Sequence, residues 1–383
     1  MKTFYADYAA TTPVSPSVLH KMNKFQKGRS FGNPNSIHLY GTKAADAVVQ
    51  ARQTIADCLK VSPEEIIFTS GATEANNLAI KGIAFANRSK GQHIITTEVE
   101  HSSVYNTCKQ LETHFGFKVT YLKPNSKGEI SFTQLYDAIR PDTILISVMR
   151  ANNETGKIYN VPCFTELAFI QDIPFHTDAT QSFAFLHDYP KVMGVNAFSF
   201  TSHKINGPKG VGALYLKHDT PCLPIITGGH QEHGMRGGTT SVPLIVGFAE
   251  AVKAAYSNSE RHWTTLNNFT QEFIKQLSTA LTTRQISFHI YDKEPKLPNL
   301  VNIEFPGIDA QSFVTLLSAN GIHISAGSAC DASSVEPSRV LLACGYTPEQ
   351  ALSSVRFSFG EENKINDIPK MIEIIVKTLE VYI

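Results

Sequence analysis

The sequence predicts an α/β fold with a large domain, built on a mostly parallel seven-stranded sheet flanked by helices, and a smaller C-terminal α+β domain. Short runs rich in β-branched and apolar residues recur between residues 66 and 216. Several of these runs are apolar almost throughout, as expected for strands that are covered on both faces. Helical patterns separate them, which favours parallel strands joined by helices.

Seven strands are predicted in the large domain, at residues 66–69, 93–97, 118–122, 143–148, 174–177, 197–200 and 211–216. Segments 73–85 and 102–115 have the pattern of the helices between them. A further helical run, 243–256, closes this part of the chain.

The pattern changes near residue 255, where long amphipathic runs alternate with few strands. Helices are predicted at 262–281, 310–320, 348–352 and 368–381, and strands at 286–291, 299–305 and 356–359. We therefore assign residues 16–256 to the large domain. Residues 1–15 and 257–383 are assigned to the small domain, which carries a cysteine loop at about 325–337.

Composition excludes several classes of protein. The chain has 383 residues, of which 42% are apolar, and this composition indicates a globular protein. Its 34 basic and 34 acidic side chains balance, so no net electrostatic field would attract nucleic acid or anionic lipid. No segment approaches the roughly 18 apolar residues that cross a membrane. Six scattered cysteines form no disulfide framework, and the N-terminus lacks a secretory pattern. We expect a cytoplasmic enzyme or neutral binding protein.

Candidate functional residues follow the predicted strands, where α/β sheets bind ligands. After the first strand, Ser70-Gly71-Ala72-Thr73 leads into a helix whose free N–H groups suit a phosphate. Taken alone, this segment is more often a simple helix cap, and Asp178 after the fifth strand is equally ambiguous.

Lys204 follows the sixth strand in a turn with three glycines, which suits close approach of a bulky group. A lysine and an acid on neighbouring strand ends, with a phosphate site on a third, is the layout of a pyridoxal 5'-phosphate (PLP) enzyme. In such an enzyme the lysine forms a Schiff base, and the acid keeps the pyridine nitrogen protonated.

Two more residues stand out, one as a nucleophile and one as a carboxylate clamp. Cys330 lies in a run of small residues, which predicts an exposed loop with a reactive thiol. Arg356 lies in a strand-like segment, where its guanidinium suits an amino-acid carboxylate. No metal is expected, because His230 and His233 have no second ligand cluster.

The residues also carry a family resemblance over nearly the whole chain. The matching motifs are YADYAATTP at 5–13, GNPNSIH at 32–38, TSGATEANN at 69–77, EH at 100–101, NNETG at 152–156, HTDATQ at 176–181, SHK at 202–204, GMRGGT at 234–239, GSAC at 327–330 and EPS at 336–338. With these motifs in this order, the chain resembles the cysteine desulfurases of the NifS/IscS type. Those enzymes belong to the class V aminotransferase-like group of fold-type I PLP enzymes.

The resemblance implies a role for each matching residue. The catalytic residues would be Lys204, which binds PLP and moves the substrate Cα proton, His101, which stacks on the ring, and Cys330, which accepts the sulfur. Cofactor contacts would come from Ala72, Thr73, His101, Asn153, Asp178, Gln181, Thr201, His203, Lys204 and, from a second subunit, Thr239. Asn153 and Arg356 would bind the substrate carboxylate.

The activity implied is conversion of L-cysteine to L-alanine, with a persulfide formed on Cys330 and passed to an acceptor protein. The acceptor would serve tRNA thiolation, thiamine synthesis or iron–sulfur cluster synthesis, and a homodimer is expected. Asp331 departs from the threonine or serine of many relatives. Selenocysteine lyase and another class V aminotransferase-like PLP enzyme remain the alternatives. We expect no direct contact with nucleic acid or with a membrane.

Overall fold

A computed structural model describes residues 2–27, 31–125, 127–183, 185–291, 294–326 and 336–382. Its helices are α1 (Pro16–Asn23), α2 (Leu39–Leu59), α3 (Ala72–Ala86), α4 (Ser102–Phe115), α5 (Phe132–Ala138), α6 (Val161–Ile170), α7 (Pro190–Met193), α8 (Val242–Thr283), α9 (Ala310–Ala319), α10 (Arg339–Ala343), α11 (Pro348–Leu352) and α12 (Ile368–Tyr382). Its strands are β1 (Phe4–Tyr5), β2 (Ile66–Thr69), β3 (His93–Thr97), β4 (Lys118–Leu122), β5 (Thr143–Ser147), β6 (Phe175–Asp178), β7 (Ala197–Thr201), β8 (Gly212–Leu216), β9 (His289–Tyr291), β10 (Leu300–Glu304), β11 (Ile322–His323), β12 (Ser325–Ala326) and β13 (Ser354–Ser358).

The predicted seven-stranded sheet is confirmed, with the strand order β2-β8-β7-β6-β5-β3-β4. Only β8 runs antiparallel to its neighbours, so the carboxyl ends of the other six strands meet at one edge. Every residue of β2, β3, β5, β6 and β7 is buried. This burial on both faces explains why their sequences do not alternate.

Helices cover both faces of this sheet. On one face α3 and α4 bury Leu78, Ile83 and Leu111 against sheet residues such as Ile94 and Leu145. The other face packs beneath a larger apolar cluster to which α2, α6 and the first half of α8 contribute. Packing between these two layers of helices holds the strand ends, and the turns that follow them, in fixed positions.

The C-terminal part contains a four-stranded antiparallel sheet, β12-β13-β10-β9, packed on α8, α9 and α12. Its core is aromatic, with Phe269 and Phe273 of α8 against Phe357 and Phe359. The N-terminal β1 pairs with β11 at the side of this unit, and Phe4 joins the same core.

The helical runs predicted at 243–256 and 262–281 form the single helix α8. The residues between them, 257–261, are polar but contain neither glycine nor proline, so nothing interrupts the helix. The expected boundary between residues 256 and 257 falls inside α8, and the division into two domains stays a prediction. Within the described ranges, no helix combines the length and apolar character that a membrane span needs.

Candidate active site

A cavity of about 680 Å³ opens at the carboxyl edge of the seven-stranded sheet. This volume is in the range of small-molecule sites, and the position is the one that α/β sheets use for ligands. Ten of the predicted site residues line it together: Ala72, Thr73, His101, Asn153, Asp178, Gln181, Thr201, His203, Lys204 and Arg356.

Two predicted site residues are not among them. Thr239 lies on the exposed surface of the chain and does not line the cavity, so its predicted contact with a second subunit remains a prediction. Cys330 lies outside the described residues.

Lys204 ends a single turn of 3-10 helix that directly follows β7. Its ammonium donates to the main-chain oxygens of Ala9 and Ala10, the latter at 2.8 Å. Gln181 also donates to the Ala9 oxygen, at 3.0 Å. The N-terminal segment therefore positions two cavity side chains that come from separate strand ends.

The glycines near Lys204 allow neighbouring atoms to lie closer to the backbone than a side chain would permit. A Cβ at Gly207 would lie 2.0 Å from the Ser202 hydroxyl oxygen. A Cβ at Gly212 would lie 2.8 Å from the Cα of Gly71, which is the N-cap of α3. Glycine at these positions lets the turns after β2 and β7 approach their neighbours closely.

Asp178 is buried at the end of β6 and accepts hydrogen bonds from neutral donors. Its Oδ2 accepts from the side-chain amide of Asn76 at 2.8 Å, and its Oδ1 accepts from the Thr180 N–H at 2.9 Å. Both of these donors are uncharged. A buried carboxylate with this surrounding suits a cationic ligand atom.

His101 is the N-cap of α4, where its Nδ1 accepts from the Ser103 N–H at 3.1 Å. This bond places the ring proton on Nε2. Burial lowers the pKa of His101, and nearby Lys204 and Arg339 lower it further while Asp178 opposes them. The imidazole is therefore neutral at pH 7.

The first turn of α3 faces the cavity through Ala72 and Thr73. N–H groups at the start of a helix have no partner within the helix and bind anions. Thr201 and His203 line the same cavity. Burial, with Lys204 and Lys209, lowers the pKa of His203 to about 4, so His203 is a neutral donor or acceptor there.

Arg356 lies in β13 and is buried beside the cavity. Its Nη2 donates to Oδ1 of Asp7 and its Nη1 to the main-chain oxygen of Asn153, both at 2.9 Å. Its Nε has no hydrogen-bond partner among the described residues. Each terminal nitrogen of a guanidinium carries two N–H groups, so one N–H on each remains for an anionic ligand after these two bonds.

Several residues of this site were not predicted from the sequence. Asn76 and Ser103 link Asp178 to His101, and Asp7 holds Arg356. Glu100 is also buried in the cavity wall, although the motif that contains it was noted. Asp7, Asn76 and Glu100 lie inside the matching motifs, which could have singled them out, whereas Ser103 lies outside the motifs.

The residues present fit PLP. A buried carboxylate that accepts from uncharged donors suits a pyridinium N–H, the start of α3 suits a phosphate, and a lysine amine suits the aldehyde. Two residues that line the cavity, Thr180 and Arg356, each have a buried polar atom without a partner in the described part of the chain, namely Oγ1 and Nε. Such atoms are expected where a polar ligand binds.

Comparison with known proteins identifies the family. The family model "Aminotransferase class-V" matches residues 4–371. A cysteine desulfurase IscS from Dictyoglomus turgidum is 39% identical over 98% of this chain and 94% of its own. A solved structure named "NIFS-LIKE PROTEIN" is 34% identical, covers 99% of this chain and 100% of its own, and has a TM-score of 0.91.

A second solved structure, described as "SspA in complex with cysteine", is 40% identical. It covers 93% of this chain and 99% of its own, with a TM-score of 0.79. The predicted resemblance is thus confirmed along the chain and in the fold. The chain belongs to the class-V aminotransferase family and, within it, to the PLP-dependent cysteine desulfurases of the IscS type.

Proposed function

We propose that this protein is a PLP-dependent cysteine desulfurase that converts L-cysteine to L-alanine and leaves the sulfur on Cys330. The observation that carries this proposal is the meeting of Lys204, Asp178 and Arg356 in one cavity. The 40%-identical neighbour that is described as a complex with cysteine supports the substrate.

The cofactor would be held at both ends. Asp178 would accept from the pyridinium nitrogen, and Gln181 would donate to the phenolic oxygen. The phosphate would be bound at the start of α3, with these partners: Ala72, Thr73, Thr201 and His203. When bound, PLP withdraws electrons from the substrate Cα and so weakens the bond between Cβ and Sγ.

Two residues would position and move protons. Lys204 Nζ would bind the aldehyde carbon and, once the substrate has displaced it, move the proton at the substrate Cα. The main-chain oxygens of Ala9 and Ala10 hold this amine beside the cavity. Neutral His101 would cover the ring and donate from Nε2, because Ser103 occupies its Nδ1.

The substrate carboxylate would be bound by Arg356 and Asn153. Arg356 lines the cavity, and each of its terminal nitrogens carries a second N–H besides the one that Asp7 or the main chain of Asn153 accepts. A guanidinium that is fixed by two partners loses little entropy when it binds a carboxylate.

Sulfur transfer would take place at the Cys330 thiolate. Its Sγ would attack the substrate Sγ, the Cβ–Sγ bond would break, and its electron pair would take up a proton to complete alanine. The new S–S bond makes Cys330 a persulfide, so atoms and electrons balance without an added oxidant. An acceptor protein serving tRNA thiolation, thiamine synthesis or iron–sulfur cluster synthesis would take the sulfur.

We further propose a cytoplasmic homodimer in which Thr239 of each chain contributes to the site of the other. Its exposed position supports a role outside its own chain's cavity. Sedimentation of the PLP-loaded protein tests this, since a monomer that retains the cofactor tightly would contradict it.

The activity is tested with purified PLP-loaded protein, L-cysteine and a thiol reductant, by measuring alanine and sulfide. C330S should lose sulfide formation while keeping the visible absorption of bound PLP, and K204A should lose both. C163S, which alters a cysteine of α6, should behave as the unmodified protein. Full sulfide formation by C330S would overturn the assignment, and a higher rate on selenocysteine would favour a lyase for that amino acid.

A further inference from the structure

A salt bridge lies in the first turn of α3, next to the proposed phosphate site. Glu74 is the third residue of this helix, and Arg236 donates from Nε to its Oε1 at 2.8 Å and from Nη2 to its Oε2 at 3.2 Å. Oε2 also accepts from the Ser70 N–H at 2.9 Å. Glu74 lines the cavity directly after Ala72 and Thr73.

The segment that carries Arg236 is fixed to the sheet by a second, separate salt bridge. Glu232 accepts from both terminal nitrogens of Arg52 at 2.8 Å and from the Phe68 N–H at 2.8 Å. Glu232 and His233 both have positive φ, at 47° and 56°. Strained backbone of this kind persists only where surrounding contacts hold it, and here the contacts of Glu232 hold the turn beside β2, four residues before Arg236.

Glu74 presents a difficulty for a phosphate-binding helix end. Burial tends to raise the pKa of Glu74, but the hydrogen bonds from Arg236 and Ser70 outweigh it, and the pKa is lowered. The carboxylate is therefore charged at neutral pH. A bare carboxylate one residue beyond the N–H groups of Ala72 and Thr73 would repel a dianionic phosphate, most strongly where water is excluded.

We propose that Arg236 is a positioning residue of the phosphate site, because it cancels the charge of Glu74 and holds that carboxylate against the Ser70 N–H. The first turn of α3 then offers its N–H groups to the phosphate without a net opposing charge. This inference rests on the proposed function, since the phosphate is that of PLP.

The test is equilibrium binding to the cofactor-free protein, measured with PLP and with pyridoxal, which lacks the phosphate. R236A should weaken PLP binding by about tenfold, as expected when one charge pair is left open at a half-buried site. Pyridoxal binding should change less than twofold. E74Q should bind PLP at least as tightly as the unmodified protein, because it leaves the positive charge of Arg236 uncompensated near the phosphate.

The double variant separates charge cancellation from other roles of Arg236. E74Q/R236A should return PLP binding to within about twofold of the unmodified protein, since no carboxylate remains to be cancelled. R236K should recover part of the loss. R284A, which opens an exposed arginine–glutamate pair with Glu380 at 2.9 Å, should bind both compounds normally.

The result that overturns the inference is a double variant as weak as R236A, which would show that Arg236 acts by itself or through its loop. Equal weakening of PLP and pyridoxal binding by R236A would also overturn it. If the unmodified protein binds neither compound, the proposed function itself fails. The two failures are therefore distinguishable.

Discussion

The side-chain amide of Asn76 donates to the carboxylate of Asp178 at 2.8 Å, which joins the first helix of the cavity to the end of β6. The same nitrogen donates to the Ser103 hydroxyl at 2.9 Å, and that hydroxyl lies 2.8 Å from Nδ1 of His101. The two side chains expected to contact the PLP ring are thus linked through Asn76, which is itself fully buried.

We predict that N76A lowers both activity and stability. The variant leaves one oxygen of Asp178 without its buried donor, which costs about 1–3 kcal/mol in the free energy of unfolding. It also releases the orientation of Asp178, so kcat/KM for cysteine should fall by about tenfold or more. Steady-state kinetics and urea denaturation measure the two effects.

N77A is the matched control, because Asn77 follows on the same helix and its side-chain amide donates to the Thr73 oxygen within its own turn, not to Asp178. Its kinetics and unfolding should stay close to those of the unmodified protein. If N76A also kept normal kinetics, the link from Asn76 through Asp178 would have no part in catalysis.

Much of the fold could be predicted from the sequence because most strands of the large sheet are buried on both faces. Each observed strand from β2 to β8 begins and ends within one residue of its predicted run. The two-residue strands β1 and β11 were not predicted, since two residues show no periodicity and their pairing joins Phe4 to Ile322 across the whole chain.

The candidate site was predictable only in part, because the sequence shows which residues lie at strand ends but not which distant residues contact them. Asp178 and Lys204 were found because each follows a predicted strand, and strand ends converge in this fold. Asn76 and Asp7 were missed because their partners lie 102 and 349 residues away. No local spacing encodes a hydrogen bond of that sequence separation, and only the assembled fold brings the groups together.

We predict that R356K impairs use of the substrate with little effect on PLP. Lysine keeps the positive charge but cannot donate to Asp7, to the Asn153 oxygen and to a substrate carboxylate in the planar arrangement of a guanidinium. KM for L-cysteine should rise by about tenfold or more, which corresponds to roughly 1.4 kcal/mol of binding free energy. Steady-state kinetics and absorbance titration with PLP measure the two properties separately.

R88K is the control for this substitution, because Arg88 is a surface residue that donates to the Phe115 oxygen away from the cavity. It should leave KM unchanged. An unchanged KM in R356K would show that Arg356 is a structural partner of Asp7 and not a substrate ligand.

The last prediction concerns Glu100 and the dependence of stability on pH. Burial raises the pKa of Glu100 to about 8, although the Met149 N–H and the Thr97 hydroxyl donate to its Oε1 and oppose this. The ordinary pKa of a glutamate is 4.5. At pH values between 4.5 and about 8, Glu100 therefore keeps its proton in the folded protein and releases it in the unfolded chain. The contribution of protonated Glu100 to the free energy of unfolding is complete below pH 4.5 and is lost as the pH rises through 8.

E100Q replaces the protonated acid by a neutral amide of the same shape, so its stability should not carry this dependence. The free energy of unfolding of the unmodified protein should fall relative to E100Q by a few kcal/mol between pH 5 and pH 8. Urea denaturation of both proteins at several pH values measures the difference in their free energies of unfolding. Burial raises the pKa of Glu154 to about 7, and because both proteins contain Glu154, its contribution cancels in this difference. A difference that stays constant over this range would mean that Glu100 is ionised in the folded protein throughout.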